Sequence, residues 1–237
     1  MTPRRRIYLM RHGSVDYFLA DGTPVAPEGV VLNPEGRRQA DAAGALFAAS
    51  GIRFDRVVAS GLPRTVETAR RVLAAMGSSA PSMQIEPALQ EIRSGRLADI
   101  PRDQIEQAFL GVFRAGPDIE EHRFLGGESI GEMLDRALPA YERWLADPDW
   151  HCLLMVLHGG INRALLSAAL AGQRAFFGRI EQAPACINVL EVGHGGNSEA
   201  VVRAINLAPT QWLHERERHT TMEKLLLQYR RSGAQDR

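Results

Sequence analysis

Short apolar runs that stop at glycine or proline alternate along this chain with stretches whose apolar residues recur at helical spacing. Ile7-Tyr8-Leu9-Met10 predicts a first strand ending at Arg11-His12-Gly13. A turn-rich stretch from Asp21-Gly22-Thr23-Pro24 to Pro27-Glu28-Gly29 follows, and Asn33-Pro34-Glu35 then reads as an N-cap with proline in the first helical turn. That helix should run to about Ser50, with Ala40, Ala43, Leu46 and Phe47 along one stripe and Gly51 as the stop. Phe54 to Ala59 predicts a second strand, and Ser60-Gly61-Leu62-Pro63 leads into a second helix holding Arg64, Thr65, Glu67 and Ala69.

The rhythm breaks between about Pro81 and Gly127, where the amphipathic piece Arg102 to Arg114 could bury Ile105, Phe109 and Phe113. It resumes at Ser129-Ile130-Gly131-Glu132, a capping box opening a helix through Leu134, Leu138 and Tyr141 to Leu145. Cys152 to Leu157 is unbroken apolar sequence, the pattern of a central strand covered on both faces, and it ends at His158-Gly159-Gly160. A helix from Ile161 to Leu170 comes next. Strands at Ile187 to Val192 and Ala200 to Ile205 flank the loop Gly193-His194-Gly195-Gly196, and the tail reads as helical. Alternating strands and helices predict an α/β fold: a three-layer sandwich whose mostly parallel central sheet carries helices on both faces. The chain, 1–237, reads as one domain with a small lid insertion at about 93–127, and it has no internal repeat.

Lys plus Arg and Asp plus Glu are both 28, so nothing in the overall charge points to nucleic acid or to an anionic membrane surface. Any anion site must be local. Arg4-Arg5-Arg6 precedes an apolar run too short for a signal-peptide core or a membrane span, so a soluble, cytoplasmic protein is expected. Cys152 and Cys186 lie in apolar segments without metal-type spacing and read as buried reduced thiols. His122, His151, His214 and His219 form no metal-binding pair, and neither a metal nor another cofactor is expected.

The chemistry concentrates at strand ends, where open α/β sheets place their ligands. His12 and His158 each follow a strand and precede a glycine, and they converge if their strands are neighbours, with Arg64 arriving from the start of the second helix. Arginine forks match phosphate oxygens, and a histidine ring nitrogen can act as a nucleophile. Such a ring must be unprotonated at the attacking nitrogen, so the other nitrogen of His12 should donate to a fixed acceptor, a backbone carbonyl near Gly13 being a candidate. By itself Glu91 reads as a surface acid paired with Arg93. Arg93, Arg96, Arg102, Arg114 and Arg123 could read a second anionic group or form a solvated face.

Arg11-His12-Gly13, then Asn33-Pro34-Glu35-Gly36 with Gln39-Ala40, then Ser60-Gly61-Leu62-Pro63-Arg64-Thr65 with Glu67-Thr68-Ala69 are followed by Leu89-Gln90-Glu91-Ile92, Gly126-Gly127-Glu128-Ser129 and His158-Gly159-Gly160. In that order they resemble the histidine phosphatase superfamily, also called phosphoglycerate mutase-like. The resemblance spans most of the chain. It implies that His12 is a transiently phosphorylated nucleophile, that Arg11, Arg64 and His158 hold the phosphoryl oxygens with help from Gly159 and Ser14, and that Glu91 is the proton donor. Many relatives carry an asparagine five residues beyond the tripeptide glycine, where it contacts the phosphoryl group; here that position is Phe18. Ser14, Tyr17 or a backbone amide are candidate replacements, and Tyr17-Phe18 could either line the pocket mouth or pack under the loop. The implied activity is metal-independent hydrolysis of a small phosphorylated metabolite through phosphohistidine. A mutase that returns the phosphoryl group to another hydroxyl and a non-catalytic phospholigand-binding protein of the same fold are the alternatives. A small phosphorylated substrate is the expected partner, and a homodimer is possible.

Overall fold

A computed structural model describes residues 3–19, 23–77, 81–114, 116–193, 196–215 and 217–233. Six strands form one sheet in the order β3-β2-β4-β1-β5-β6: β1 (Arg5–Arg11), β2 (Arg56–Ala59), β3 (Met83–Ile85), β4 (Cys152–Leu157), β5 (Ile187–Gly193) and β6 (Gly196–Leu207). The pairs β1/β4, β2/β4 and β2/β3 are parallel, while β5 runs against both β1 and β6. The sheet is therefore mixed with a parallel majority.

Alternation along the strands explains the layers. Ile7, Leu9, Val58, Leu153, Met155 and Leu157 face one core, shared with α4 (Ile130–Ala146) and α5 (Gly159–Ala171). Tyr8, Met10, Val57, Leu154 and Val156 face the other, where Ala40, Ala43 and Phe47 of α1 (Pro34–Ala49) and Ala69 and Val72 of α2 (Pro63–Met76) pack. Asn33 caps α1 by accepting from Gly36 N–H, and Ser129 with Glu132 forms the expected capping box on α4.

Three elements differ from the sequence expectation. Strand β3 was not anticipated, because three residues at a sheet edge carry no readable alternation. The amphipathic piece at 102–114 is helical only over α3 (Ile105–Leu110), after a 3₁₀ turn at Arg102–Gln104. Ile105 and Phe109 are buried there, whereas Phe113 leaves the helix and packs on Phe176. β6 is longer than expected because it pairs along β5, a tertiary effect. His194 and Gly195 of the intervening loop, like Asp21 and Gly22 of the turn-rich stretch, lie outside the described residues.

The tail forms α6 (Thr221–Gly233), which packs Leu226 against Ile105, Phe109 and Leu125 of the lid. Tyr229 lies between Phe18 and Phe109, with ring centroids 6.2 Å and 5.8 Å away. Phe18 thus packs between the loop and the C-terminal helix. Both cysteines are free, Cys186 buried and Cys152 half-buried. Among the described residues no helix is long and apolar enough to cross a membrane.

The end of β1 meets the start of α1 with no room for side chains. A Cβ on Gly36 would lie 2.1 Å from Ser14 O, and one on Gly13 would lie 2.4 Å from Gly36 O. Both obstacles are backbone. Gly36→Ala should therefore lower stability by about 1–3 kcal/mol in urea denaturation, despite alanine's better helix propensity.

Candidate active site

Parallel pairing sets the centre of the site. Arg11 lies opposite Leu157 in the β1/β4 register, so His12 and His158 leave the sheet at the same level, with ring centroids 5.3 Å apart. The His12 backbone is pinned on both sides, its N–H donating to Leu157 O at 3.0 Å and its carbonyl accepting from Ala185 N–H at 3.0 Å. Ala185 makes that contact from a left-handed backbone, φ 56°, which an alanine holds only under tertiary constraint.

Nδ1 of His12 lies 2.7 Å from Gly13 O. A carbonyl only accepts, so Nδ1 carries the proton and Nε2 presents its lone pair. Burial, reinforced by Arg64 and Arg11, holds the His12 pKa well below its ordinary value, which keeps the ring neutral. Such a ring can attack phosphorus. His158 is wholly buried and its pKa is likewise depressed, first by burial and then by Arg64, His12 and Arg11. Its Nε2 lies 2.7 Å from Ser60 Oγ, which is 3.1 Å from Thr65 Oγ1. The Thr65 hydroxyl donates to Leu62 O at 2.8 Å. With Thr65's proton spent there, Ser60 donates to Thr65 and His158 Nε2–H donates to Ser60. Nδ1 of His158 is then the site at which a bound anion would recruit a proton.

Arg11 and Arg64 are both buried. Arg11 Nη1 donates to Gln182 O and, at 2.8 Å, to Thr221 Oγ1; Arg64 Nη1 donates to Pro27 O at 2.6 Å. Arg11 Nε, Arg64 Nε and His158 Nδ1 are buried without a hydrogen-bond partner among the described residues. Buried guanidinium donors left unpaired are costly, so a cluster of them marks an anion site. His12 itself keeps only 2 % exposure.

Glu91 does not pair with Arg93. Its carboxylate accepts from Gly160 N–H at 3.1 and 3.0 Å, in the first turn of α5 beside His158. An arginine and a glutamate hold the segment that carries it. Arg136 binds the Glu128 carboxylate at 2.7 and 2.8 Å and donates to the carbonyls of Ala88, Gln90 and Glu91 at 2.8, 2.7 and 3.0 Å. Glu128 also accepts from Arg93 N–H at 2.9 Å. Burial pushes the Glu128 carboxyl up, but the bonds from Arg136 and Arg93 outweigh it and leave the pKa below the usual range.

The structure thus gathers His12, Arg11, Arg64, His158, Gly159 and Glu91 at one end of the sheet. Ser14 is close to Gly13, but its N–H is spent on Gln39 Oε1 at 2.9 Å, so that amide is no substitute for the absent asparagine. Of the arginines in the 93–127 segment, Arg123 pairs with Glu132, Arg96 lies 4.0 Å from Asp99, and Arg93, Arg102 and Arg114 are exposed. Sequence reasoning missed Arg163 instead. It is buried, bonds Glu181 at 3.0 Å, lies over Phe113, and shares with Arg11 the space beside Gly159, where a Cβ would lie 3.2 Å from Arg163 Nη1 and 3.6 Å from Arg11 Nε. Its signal was available: a charge in a helix otherwise made of apolar and small residues. Among the described residues no three His, Cys, Asp or Glu side chains gather as a metal site would require.

The model of the histidine phosphatase superfamily, branch 1, matches residues 7–205. The chain belongs to this superfamily. It is 30% identical over 173 residues to the 2,3-bisphosphoglycerate-dependent phosphoglycerate mutase of Mesorhizobium japonicum, covering 69% of this chain and 81% of the relative. It is 29% identical over 174 residues to the glucosyl-3-phosphoglycerate phosphatase of Mycolicibacterium vanbaalenii, covering 70% and 74%. The fold of this histidine phosphatase superfamily member is also that of the α-ribazole phosphatase from Shigella flexneri, with TM-score 0.65, 24% identity and coverage of 85% and 96%.

Two histidines held neutral by burial make stability pH-dependent with a definite sign. The unfolded rings titrate near 6.5 and the folded ones well below it, so below that pH the unfolded state binds more protons. Stability should fall as pH drops from 7 to 5, and inorganic phosphate should reduce the loss by favouring a protonated His158. Thermal midpoints with and without phosphate across this range test both statements.

Proposed function

We propose that this chain is a phosphomonoester hydrolase that works through a phosphohistidine on His12 and takes a small phosphorylated metabolite as substrate. The observation that carries the reading is the set of buried, unpartnered donors Arg11 Nε and Arg64 Nε beside His158 Nδ1, grouped around an imidazole whose tautomer leaves Nε2 free. In transfer, a phosphoryl group spreads charge over its equatorial oxygens, and catalysis rests on positioning it and stabilising that charge. Two guanidiniums and a protonatable His158 suit that task, with no need for a metal to neutralise the charge.

His12 Nε2 attacks phosphorus, the ester oxygen leaves with a proton from Glu91, and water then attacks the phosphohistidine with Glu91 taking its proton. The Gly160 N–H holds the carboxyl group on the departing side. Hydrolysis is favoured over mutase chemistry because a bisphosphorylated ligand needs a second set of free cations. Here the 93–127 segment packs Ile105, Phe109 and Leu125 against Leu226, Arg123 is paired with Glu132, and Arg163 is held by Glu181.

His12→Ala should abolish both turnover and acid-labile phosphoenzyme, measured by phosphate release and acid quench. With 3-phosphoglycerate as a trial substrate, the natural chain should release phosphate rather than form 2-phosphoglycerate; isomerisation without release would establish the mutase reading.

Glu91→Gln should slow alkyl phosphates at least about 100-fold while leaving nitrophenyl phosphate less affected, since nitrophenolate departs without a proton. Gly160→Ala should give the same selective pattern. Its Cβ would lie 2.5 Å from Glu91 Oε1, the end of a movable side chain, so Glu91 shifts and the fold survives. Equal losses on both substrates would remove Glu91 from the acid role.

A further inference from the structure

We propose that Thr221, the first residue of α6, is a positioning residue for Arg11, and that the C-terminal helix is therefore part of the phosphate-binding apparatus. The inference rests on the phosphatase reading of the same site. Residue 221 lies beyond the stretch 7–205 matched by the superfamily model.

Arg11 Nη1 has two acceptors, Gln182 O and Thr221 Oγ1. The first is backbone and is fixed from below: the Gln182 and Asn188 side-chain amides bond each other reciprocally at 3.0 and 2.8 Å, and Asn188 Nδ2 also donates to Leu9 O of β1 at 2.8 Å. The second comes from α6. The Thr221 hydroxyl donates to Glu181 Oε1 at 2.7 Å, which turns its lone pairs toward Arg11, and Thr221 N–H donates to the same oxygen at 3.2 Å. The other Glu181 oxygen holds Arg163 at 3.0 Å. One carboxylate and one hydroxyl thus bridge two buried guanidiniums that both lie beside the Cα of Gly159.

This arrangement solves an electrostatic problem. Arg11 and Arg163 repel each other in a poorly solvated space, and Glu181 lies between them in charge while Thr221 relays its polarity to Arg11 without neutralising it. Arg11 keeps its full charge and an unspent Nε for the phosphoryl group. A direct ion pair between Glu181 and Arg11 would instead compete with the substrate.

The start of α6 is well fixed. Thr220 and Glu223 form a reciprocal cap, Glu223 N–H to Thr220 Oγ1 at 3.2 Å and Thr220 N–H to Glu223 Oε2 at 2.6 Å. Further along, Arg230 pairs with Glu106 of the lid at 2.6 Å, and Tyr229 meets Phe109. The hydroxyl is thereby carried by a helix anchored to the lid.

The test uses the full chain with Thr221→Val, which keeps the shape and loses the hydroxyl, and Thr221→Ser, which keeps the hydroxyl. Thr221→Val should raise KM for nitrophenyl phosphate and the Kd of inorganic phosphate by about tenfold, the effect of one charge-assisted hydrogen bond, in a chain that still unfolds cooperatively. Thr221→Ser should restore both constants. If valine is not accommodated, Thr221→Ala, which only removes atoms, gives the same reading. Natural-like KM and phosphate Kd in the valine or alanine variant, or a serine variant as defective as valine, would overturn the inference while the natural chain's turnover leaves the phosphatase reading standing. A natural chain that neither binds phosphate nor hydrolyses the ester would overturn both.

Discussion

The hydrogen-bonded pairing of β1 with β4 is the constraint on which the site depends. Parallel strands advance together, so residues one step beyond paired positions leave the sheet side by side, and the register that places Arg11 opposite Leu157 also sets the separation of the two imidazoles. Slipping β1 by one residue against β4 would turn its faces over and send Ile7 and Leu9 to the wrong core. The packing that stabilises the sheet is therefore the same packing that holds His12 beside His158.

A second constraint follows from placing so much positive charge in one dry region. Arg11, Arg64 and Arg163 are all buried within reach of one another's fields, and burial lowers the Arg163 pKa as well. The protein answers in two ways. Backbone carbonyls of Gln182 and Pro27 take one donor from each of Arg11 and Arg64 without cancelling its charge, and both imidazoles stay neutral. Only Arg163 has its own carboxylate. The remaining positive potential and the unpaired Nε donors are what a phosphoryl group would meet, and this preorganisation requires no rearrangement of charge during transfer.

Glu91 shows the same principle on the opposite side. The acid role proposed for Glu91 asks for a carboxyl group that no arginine clamps, because a charge-assisted pair would fix it as the anion. The guanidinium of Arg136 instead grips the backbone carbonyls of Ala88, Gln90 and Glu91 and leaves the carboxyl to two backbone amides, Gly160 N–H and Ile92 N–H. Position is thereby separated from protonation.

Much of the fold was legible in the sequence. The unbroken apolar run at Cys152–Leu157, the Asn33-Pro34 cap and the Ser129/Glu132 capping box fixed layers and helix starts, because these signals act over a few residues and need no partner. The strand-end positions of His12 and His158 were legible for the same local reason, since each comes at the end of an unbroken apolar run. The polypeptide could not reveal from sequence alone that Thr221 and Arg11 share a hydrogen bond across 210 positions, that Arg136 supports Glu91, or that Arg123 pairs with Glu132. Those facts depend on how helices and loops settle over the sheet edge, and the same side chain can read equally well as solvated or engaged until that packing chooses. Local periodicity and capping decided which elements form; only the tertiary structure, through burial and long-range hydrogen bonding, decided which charges meet.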